Sequence, residues 1–176
     1  MKHQKQSGFT LVEILLVLGI IAILAIAAFI IYPQVMSSSR ANTEQANIMS
    51  ITASTKNLYQ GRYGTAGTDL LPIVNQARGI PNSMNGGDFS GTATITSSWG
   101  SGVELATVAG GGGGTAFALT YLAMPFDICQ KLVPGVLPNF DTVVVGSTSL
   151  TKTSVPADII TACGTSGAHN VVLTTT

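Results

Sequence analysis

The chain has 176 residues, enough for one domain, and its eight basic and eight acidic residues give a formal net charge of zero. Apolar residues make up 45% of the chain and charged residues only 9%, against about 25% charged in a typical soluble domain. These sparse, scattered charges exclude the basic surface typical of a nucleic-acid-binding protein, so no specific nucleic acid is expected as a partner.

The first predicted element is a long apolar segment near the amino terminus. From Ile14 to Ile31 no residue is charged, and all except Gly19 are apolar. As an α-helix this segment would be about 27 Å long, close to the hydrocarbon thickness of a bilayer. A secretory signal peptide is one interpretation, because the chain starts with basic residues and Ala25–Ala27 offers small residues for cleavage. The apolar segment continues past that site, however, and a signal peptide would not explain Glu13.

Glu13 is unusual because a carboxylate costs about 2.5–3.5 kcal/mol at the centre of a membrane helix, and somewhat less near the interface. Cleavage between Gly8 and Phe9 would supply a partner, since the new chain would begin with a free amine within one helical turn of the carboxylate. The amine of a neighbouring copy is the more informative partner, because pairing between copies would neutralise both charges and set an axial register. We therefore interpret Glu13 as an assembly residue.

The stretch GFTLVE, followed by the apolar segment, resembles the prepilin signature of type IV pilins and the related pseudopilins. The resemblance implies that a prepilin peptidase removes residues 1–8 as a leader, and that Phe9 then becomes N-methylated. It also implies that Gly8 is the cleavage-site glycine and Glu13 the acidic assembly residue. Residues 9–32 would form the half of a long helix that spans the membrane and later lies in the core of a fibre.

The helix is expected to continue beyond the apolar segment. Pro33 removes a helix hydrogen bond and predicts a kink or break near residues 29–33. In the resembled family such a residue allows the helix to bend or melt during polymerisation, whereas the simpler alternative is that Pro33 ends the span. We expect one helix from about Phe9 to Gln60, interrupted near Pro33, and stopped by Gly61 and Gly64.

The part of this helix after Pro33 is predicted to be amphipathic. Its apolar face is approximated by Ala41, Ile48, Ile51 and Leu58. The opposite positions are expected to carry Arg40, Glu44, Gln45 and Lys56. This half of the helix should therefore pack against a globular head.

The rest of the chain is rich in Thr, Ser and Gly, with recurring β-branched segments. Strands are predicted at Thr92–Trp99, Val103–Val108, Thr115–Leu122, Thr142–Val145 and Asn170–Thr174. Short helices are predicted within Thr68–Pro81, with Thr68 or Asp69 as cap, and at Phe126–Leu132 and Ala157–Ala162. The glycines at Gly110–Gly114 lack the Gly-Lys-Ser/Thr pattern of a phosphate-binding loop and are interpreted as a mobile hairpin connection. The predicted fold class is α+β, with residues 33–176 forming the amphipathic half-helix and a head built on a mainly antiparallel sheet.

The two cysteines of the chain are Cys129 and Cys163. Two thiols in an exported chain favour one disulfide in an oxidising compartment, which would stabilise the head by about 3–4 kcal/mol. Metal binding is a poor alternative, because these cysteines and the distant His169 form an incomplete ligand set. A catalytic Cys–His pair stays open, although no other residue supports it. No metal or cofactor is expected.

The carboxyl-terminal half extends the resemblance. FDICQKLV and ADIITACGTSGAHNVVLT resemble the disulfide-bounded region of type IVb pilins, which would be residues 129–163 here. TKNLYQGRYG and TDLLPIVNQARGIP resemble the segment that follows the long helix in that group. The leader departs from the pattern, because type IVb pilins usually have longer leaders and mature chains that start with Met, Leu or Val rather than Phe9.

The resemblance implies a structural protein without enzymatic activity, the major subunit of a type IV pilus used for adhesion, aggregation, motility or conjugation. Its expected partners are its own copies in a helical polymer, the inner membrane before assembly, the prepilin peptidase, and a machinery of platform protein, ATPase and outer-membrane secretin. The precursor is expected in the inner membrane, and the assembled pilus outside a Gram-negative cell.

Other functions remain as alternatives. A minor pilin would have the same front end, and a type II secretion pseudopilin is disfavoured by the disulfide-bounded region. A membrane-anchored periplasmic enzyme is less consistent with the chain, which offers no paired carboxylates, Ser-His-Asp set or metal-ligand cluster.

Overall fold

A computed structural model describes residues 9–109 and 116–176 of the chain. The predicted leader and the predicted glycine connection lie outside these residues. The helices are α1 (Leu11–Tyr59), α2 (Leu71–Gln76), α3 (Asn82–Asn85), α4 (Phe126–Val136) and α5 (Pro156–Cys163), with a short 3-10 helix at Leu137–Asn139. The strands are β1 (Val103–Val108), β2 (Ala116–Pro125), β3 (Thr142–Val145), β4 (Thr148–Leu150) and β5 (Ala168–Thr175).

The chain divides into two compact units, the first ending at Met36 and the second spanning Ser37–Thr176. Helix α1 is 49 residues long and contributes to both units. The expected break at Pro33 is absent, because the helix continues through this residue without interruption. Proline removes one hydrogen bond and crowds the preceding turn, and long helical segments on both sides keep that loss local. Melting at Pro33 during polymerisation stays a prediction.

The strands form one five-stranded antiparallel sheet in the order β1-β2-β5-β3-β4. Side chains alternate between its two faces, and the inner face supplies Leu105, Leu119, Tyr121, Val143, Val171 and Leu173 to a single buried core. Helix α1 contributes Ala41, Ile48 and Ile51 to the same core. The predicted α+β class and the antiparallel sheet are therefore confirmed.

The predicted disulfide is also confirmed. Cys129 on α4 and Cys163 at the end of α5 are bonded and fully buried. Both side chains belong to the core, so the bond joins the two short helices where they pack together. No described cysteine is a free thiol, which removes the basis for a catalytic or metal-binding cysteine in this oxidised chain.

Two predictions were wrong, and two short elements of the head were missed. Thr92–Trp99 is not a strand, since only Thr96 forms an isolated bridge and Ser97–Gly100 is a turn closed by the Gly100 N–H, which donates to the Ser97 carbonyl. The short strand β4 and the single-turn helix α3 were missed, because each has too few residues for a periodic pattern. Leu58, expected on the buried face of α1, is 44% exposed.

Candidate functional site

The amino-terminal turn of α1 holds two of the predicted site residues. Phe9 precedes the helix and is 81% exposed. The Glu13 N–H donates to the Thr10 carbonyl oxygen at 3.1 Å and to Thr10 Oγ1 at 3.3 Å. Thr10 therefore caps the first turn, and the Thr-x-x-Glu spacing matches a capping box. This cap was visible in the sequence but was not recognised there.

The side chains that follow form an apolar surface around the first part of α1. Large hydrophobic residues from Leu11 to Tyr32 are exposed by between 48% and 74%, apart from Phe29 at 81%. Within the described residues, α1 is the helix long and apolar enough to cross a membrane, and none of its most apolar stretch is buried. Apolar surface of this extent needs lipid or other helices around it, because soluble monomers rarely expose such large patches.

Glu13 is the acidic residue of this first turn. The positive end of the helix dipole favours a carboxylate there by about 0.3–1 kcal/mol. That gain is smaller than the cost of about 2.5–3.5 kcal/mol for a carboxylate that moves to the centre of an apolar layer. No ion pair to Glu13 is found among residues 9–109 and 116–176. The start of the helix by itself therefore does not compensate the charge of Glu13 once apolar groups surround the helix.

A second carboxylate, Glu44, was placed incorrectly by the sequence reasoning. It was expected on the solvent side of α1, but it is fully buried. One of its oxygens accepts from the Ser98 N–H at 2.6 Å, and the other accepts from the Tyr121 hydroxyl at 3.1 Å. The helical period explains the error, because Glu44 lies one turn from both Ala41 and Ile48 and so shares their face.

The surroundings of Glu44 indicate a structural role. Burial raises the pKa of the Tyr121 phenol well above its ordinary value, and the negative charge of Glu44 raises it further, so the hydroxyl stays protonated and donates. Trp99, next to Ser98, lies with its ring 5.5 Å from that of Tyr121 and donates from Nε1 to the Leu122 carbonyl. The buried carboxylate thus joins α1, β2 and the loop before β1.

The structure does not bring the predicted site residues together in one site. Phe9 and Glu13 lie at the start of α1, and Pro33 lies within it. Cys129 and Cys163 meet in the core of the head. Gly8 lies outside the described residues. The structure therefore contains an amino-terminal helix turn with one carboxylate and, in its own unit, a disulfide-bonded head.

Comparison with known proteins divides the chain in the same way. The family model described as PilS N terminal matches residues 38–176, and the prokaryotic N-terminal methylation motif matches residues 3–29. No curated protein sequence matches the chain.

Two solved structures are similar to the chain. The crystal structure of TcpA, a type IV pilin from Vibrio cholerae El Tor biotype, has a TM-score of 0.52 and 14% identity, over 80% of this chain and 99% of that chain. The NMR structure of the type IVb pilin PilS from Salmonella typhi has a TM-score of 0.49 and 21% identity, over 77% of this chain and 95% of that chain. The likeness to TcpA is one of fold.

Proposed function

The chain belongs to the PilS family of type IV pilins, and from this premise we propose that it is the major structural subunit of a type IV pilus. The observation that carries the proposal is the start of α1, where exposed apolar side chains surround the helix behind the carboxylate of Glu13. Such a helix is stable in a bilayer as a precursor and in a bundle of like helices as a fibre. The oxidised, disulfide-bonded head is consistent with export.

The first step of the proposal is processing. A prepilin peptidase cleaves between Gly8 and Phe9, and Phe9 becomes N-methylated. The methylation-motif match over residues 3–29 supports this step. Phe9 also lies before the first helical residue and is highly exposed. The processed subunit would then be assembled by a platform protein, an ATPase and an outer-membrane secretin of a Gram-negative cell.

The second step is assembly. The α-amino group of Phe9 in an incoming subunit pairs with Glu13 of a subunit already in the fibre. Each charge alone would be costly in an apolar bundle, and removal of one partner from a buried pair costs about 3–5 kcal/mol. Pairing compensates both charges and selects one axial position of each helix relative to its neighbour.

The test combines one assembly variant with one matched control. Glu13→Ala should leave a processed and stable subunit in the membrane, because the change lowers the cost of insertion, but it should sharply reduce the fibres recovered by shearing. Glu13→Gln should be similarly defective, since it keeps the shape and loses the charge. Glu104→Ala removes an exposed carboxylate of the head and should assemble normally.

Mass spectrometry of the mature subunit tests the processing step directly. The mature chain should begin with methylated Phe9, and a mature terminus after Ala27 would instead identify an ordinary signal peptide. Normal numbers of normal-length fibres from Glu13→Ala would refute the pairing role. The assignment as major subunit requires this chain to be the most abundant protein of the sheared fibres.

A further inference from the structure

Strand β1 is an edge strand of the sheet, and its free edge is covered at both ends by loops of the same chain. Asp69 forms an isolated antiparallel bridge with Ala106, and Thr96 forms another with Gly102. Covering an edge in this way is how proteins prevent uncontrolled strand pairing. The two bridges are separated by the middle of β1, which neither loop reaches.

The middle of β1 has two backbone groups without a partner. The Val103 N–H donates to the Ile95 carbonyl at 3.0 Å, and the Leu105 carbonyl accepts from the Leu70 N–H at 2.9 Å. The N–H and C=O of one strand residue point to the same side, so the Val103 carbonyl and the Leu105 N–H face this edge as well. Neither has a hydrogen-bond partner among residues 9–109 and 116–176.

These two groups are also poorly accessible. Val103 is 5% exposed and Leu105 only 1%. Buried backbone groups without a partner are rare in native proteins. The spacing of this carbonyl and this N–H is the spacing that an added strand uses, so the open positions indicate a missing extended segment.

A cleft of about 450 Å³ opens at this position between the two covering loops. Its charged residues are Asp69 and Glu104, and no basic residue of the described chain lines it. One Asp69 oxygen accepts from the Leu71 N–H at 2.9 Å. Glu104 is exposed and forms no ion pair within the described chain. The rest of the lining is largely apolar, as in most binding sites. The cleft is therefore suited to a cationic group carried on an extended backbone.

We propose that this cleft binds a short extended peptide of a partner protein, which adds antiparallel to β1 and carries a lysine or arginine opposite Glu104. Side chains directly opposite each other in such a pair have Cβ atoms about 4.5–5.5 Å apart, close enough for opposite charges to interact. The residue after the basic one donates its N–H to the Val103 carbonyl. The residue before it accepts from the Leu105 N–H. Both covering loops already run antiparallel to β1, and the peptide continues their pairing.

The test titrates a capped peptide, Thr-Val-Lys-Val-Thr, into the full-length chain labelled with ¹⁵N in detergent micelles. The amide resonance of Leu105 should shift with peptide in the millimolar range, and its hydrogen exchange should slow because the N–H gains an acceptor. A peptide with glutamate in place of the lysine should bind at least about tenfold more weakly, since like charges then lie opposite each other.

Two methylated peptides test the backbone pairing. An N-methyl group on the valine after the lysine removes the N–H that donates to Val103 and should abolish binding. The same group on the lysine nitrogen should be tolerated, because that N–H points away from β1. The two peptides have identical composition and charge, so a difference between them reports the pairing alone.

Two protein variants separate the charge effect from a folding defect. Glu104→Lys should reverse the preference and bind the glutamate peptide more tightly than the lysine peptide, which a misfolded head could not do. Asp141→Asn removes an exposed carboxylate that does not line the cleft and should leave both affinities unchanged.

Three results would overturn the inference: no shift of the Leu105 amide with millimolar peptide, equal affinity for the lysine and glutamate peptides, or equal effects of the two methyl groups. Each of these would leave the pilus assignment intact, because that assignment depends on processing at Phe9 and on fibre assembly through Glu13.

Discussion

Replacement of Glu44 by alanine should be among the most destabilising single changes in the head. The substitution removes the acceptor of the Ser98 N–H, at 2.6 Å, and of the Tyr121 hydroxyl, at 3.1 Å. A buried donor left without an acceptor costs about 1–3 kcal/mol, so two such donors cost about 2–6 kcal/mol. Removal of a buried carboxylate recovers part of its desolvation cost. We therefore expect the free energy of unfolding to fall by about 2–4 kcal/mol.

Denaturant unfolding of residues 37–176 provides the assay, because the core lies entirely between Ala41 and Leu173. Glu44→Gln should lose only about 1 kcal/mol, since its carbonyl can still accept from the Ser98 N–H and its amide can donate to the Tyr121 oxygen. Glu104→Ala serves as the exposed-carboxylate control and should change stability by less than about 0.5 kcal/mol. If Glu44→Ala were as stable as this control, the buried network would not hold the loop before β1 to the helix.

Three further predictions concern the disulfide, a close backbone contact and one titrating group. Cys129→Ser opens a loop with a sequence separation of 34 and should cost about 4 kcal/mol on the chain-entropy estimate, measured by denaturant unfolding without reductant. Gly79→Ala would place a methyl group 2.8 Å from the Val74 side chain and should lower the thermal midpoint through overpacking worth about 1–3 kcal/mol. The hydrogen bond from Lys152 lowers the pKa of Asp141, so its contribution should be present above the ordinary carboxyl pKa and lost as the pH falls through the lowered value. Asp141→Asn should abolish this pH dependence at a cost under about 1 kcal/mol, because the pair is exposed, and an NMR titration of Asp141 reading an unshifted pKa would contradict it.

Local patterns in the sequence predicted several elements correctly. The bounds of β1 and β3 were predicted correctly, and α1 ends within a residue or two of the prediction. The turn at Ser97–Gly100 could not be predicted in this way, because Thr92–Trp99 alternates like a strand. The N–H groups of Thr96 and Ser97 donate instead to the carbonyls of Met84 and Ser101, which lie outside the alternating segment.

Glu44 shows most clearly where sequence reasoning stops. A charged residue in an amphipathic helix is assigned to the solvent side by default, since carboxylates are rarely fully buried. The helical period did indicate the buried face, but the partners that make such burial tolerable come from Ser98 and Tyr121. Both are distant in the chain, so no local pattern could reveal them.

The sequence by itself determined the features of the amino-terminal segment, because they are local. A glycine, a helix start with one glutamate and an unbroken apolar segment lie within one stretch of chain. It also determined that two cysteines were available for a disulfide. The tertiary structure alone decided that α4 and α5 bring Cys129 and Cys163 together in the core, and which face of the sheet is buried against that core. These features depend on strand order and register, which are set by contacts between residues far apart in the chain.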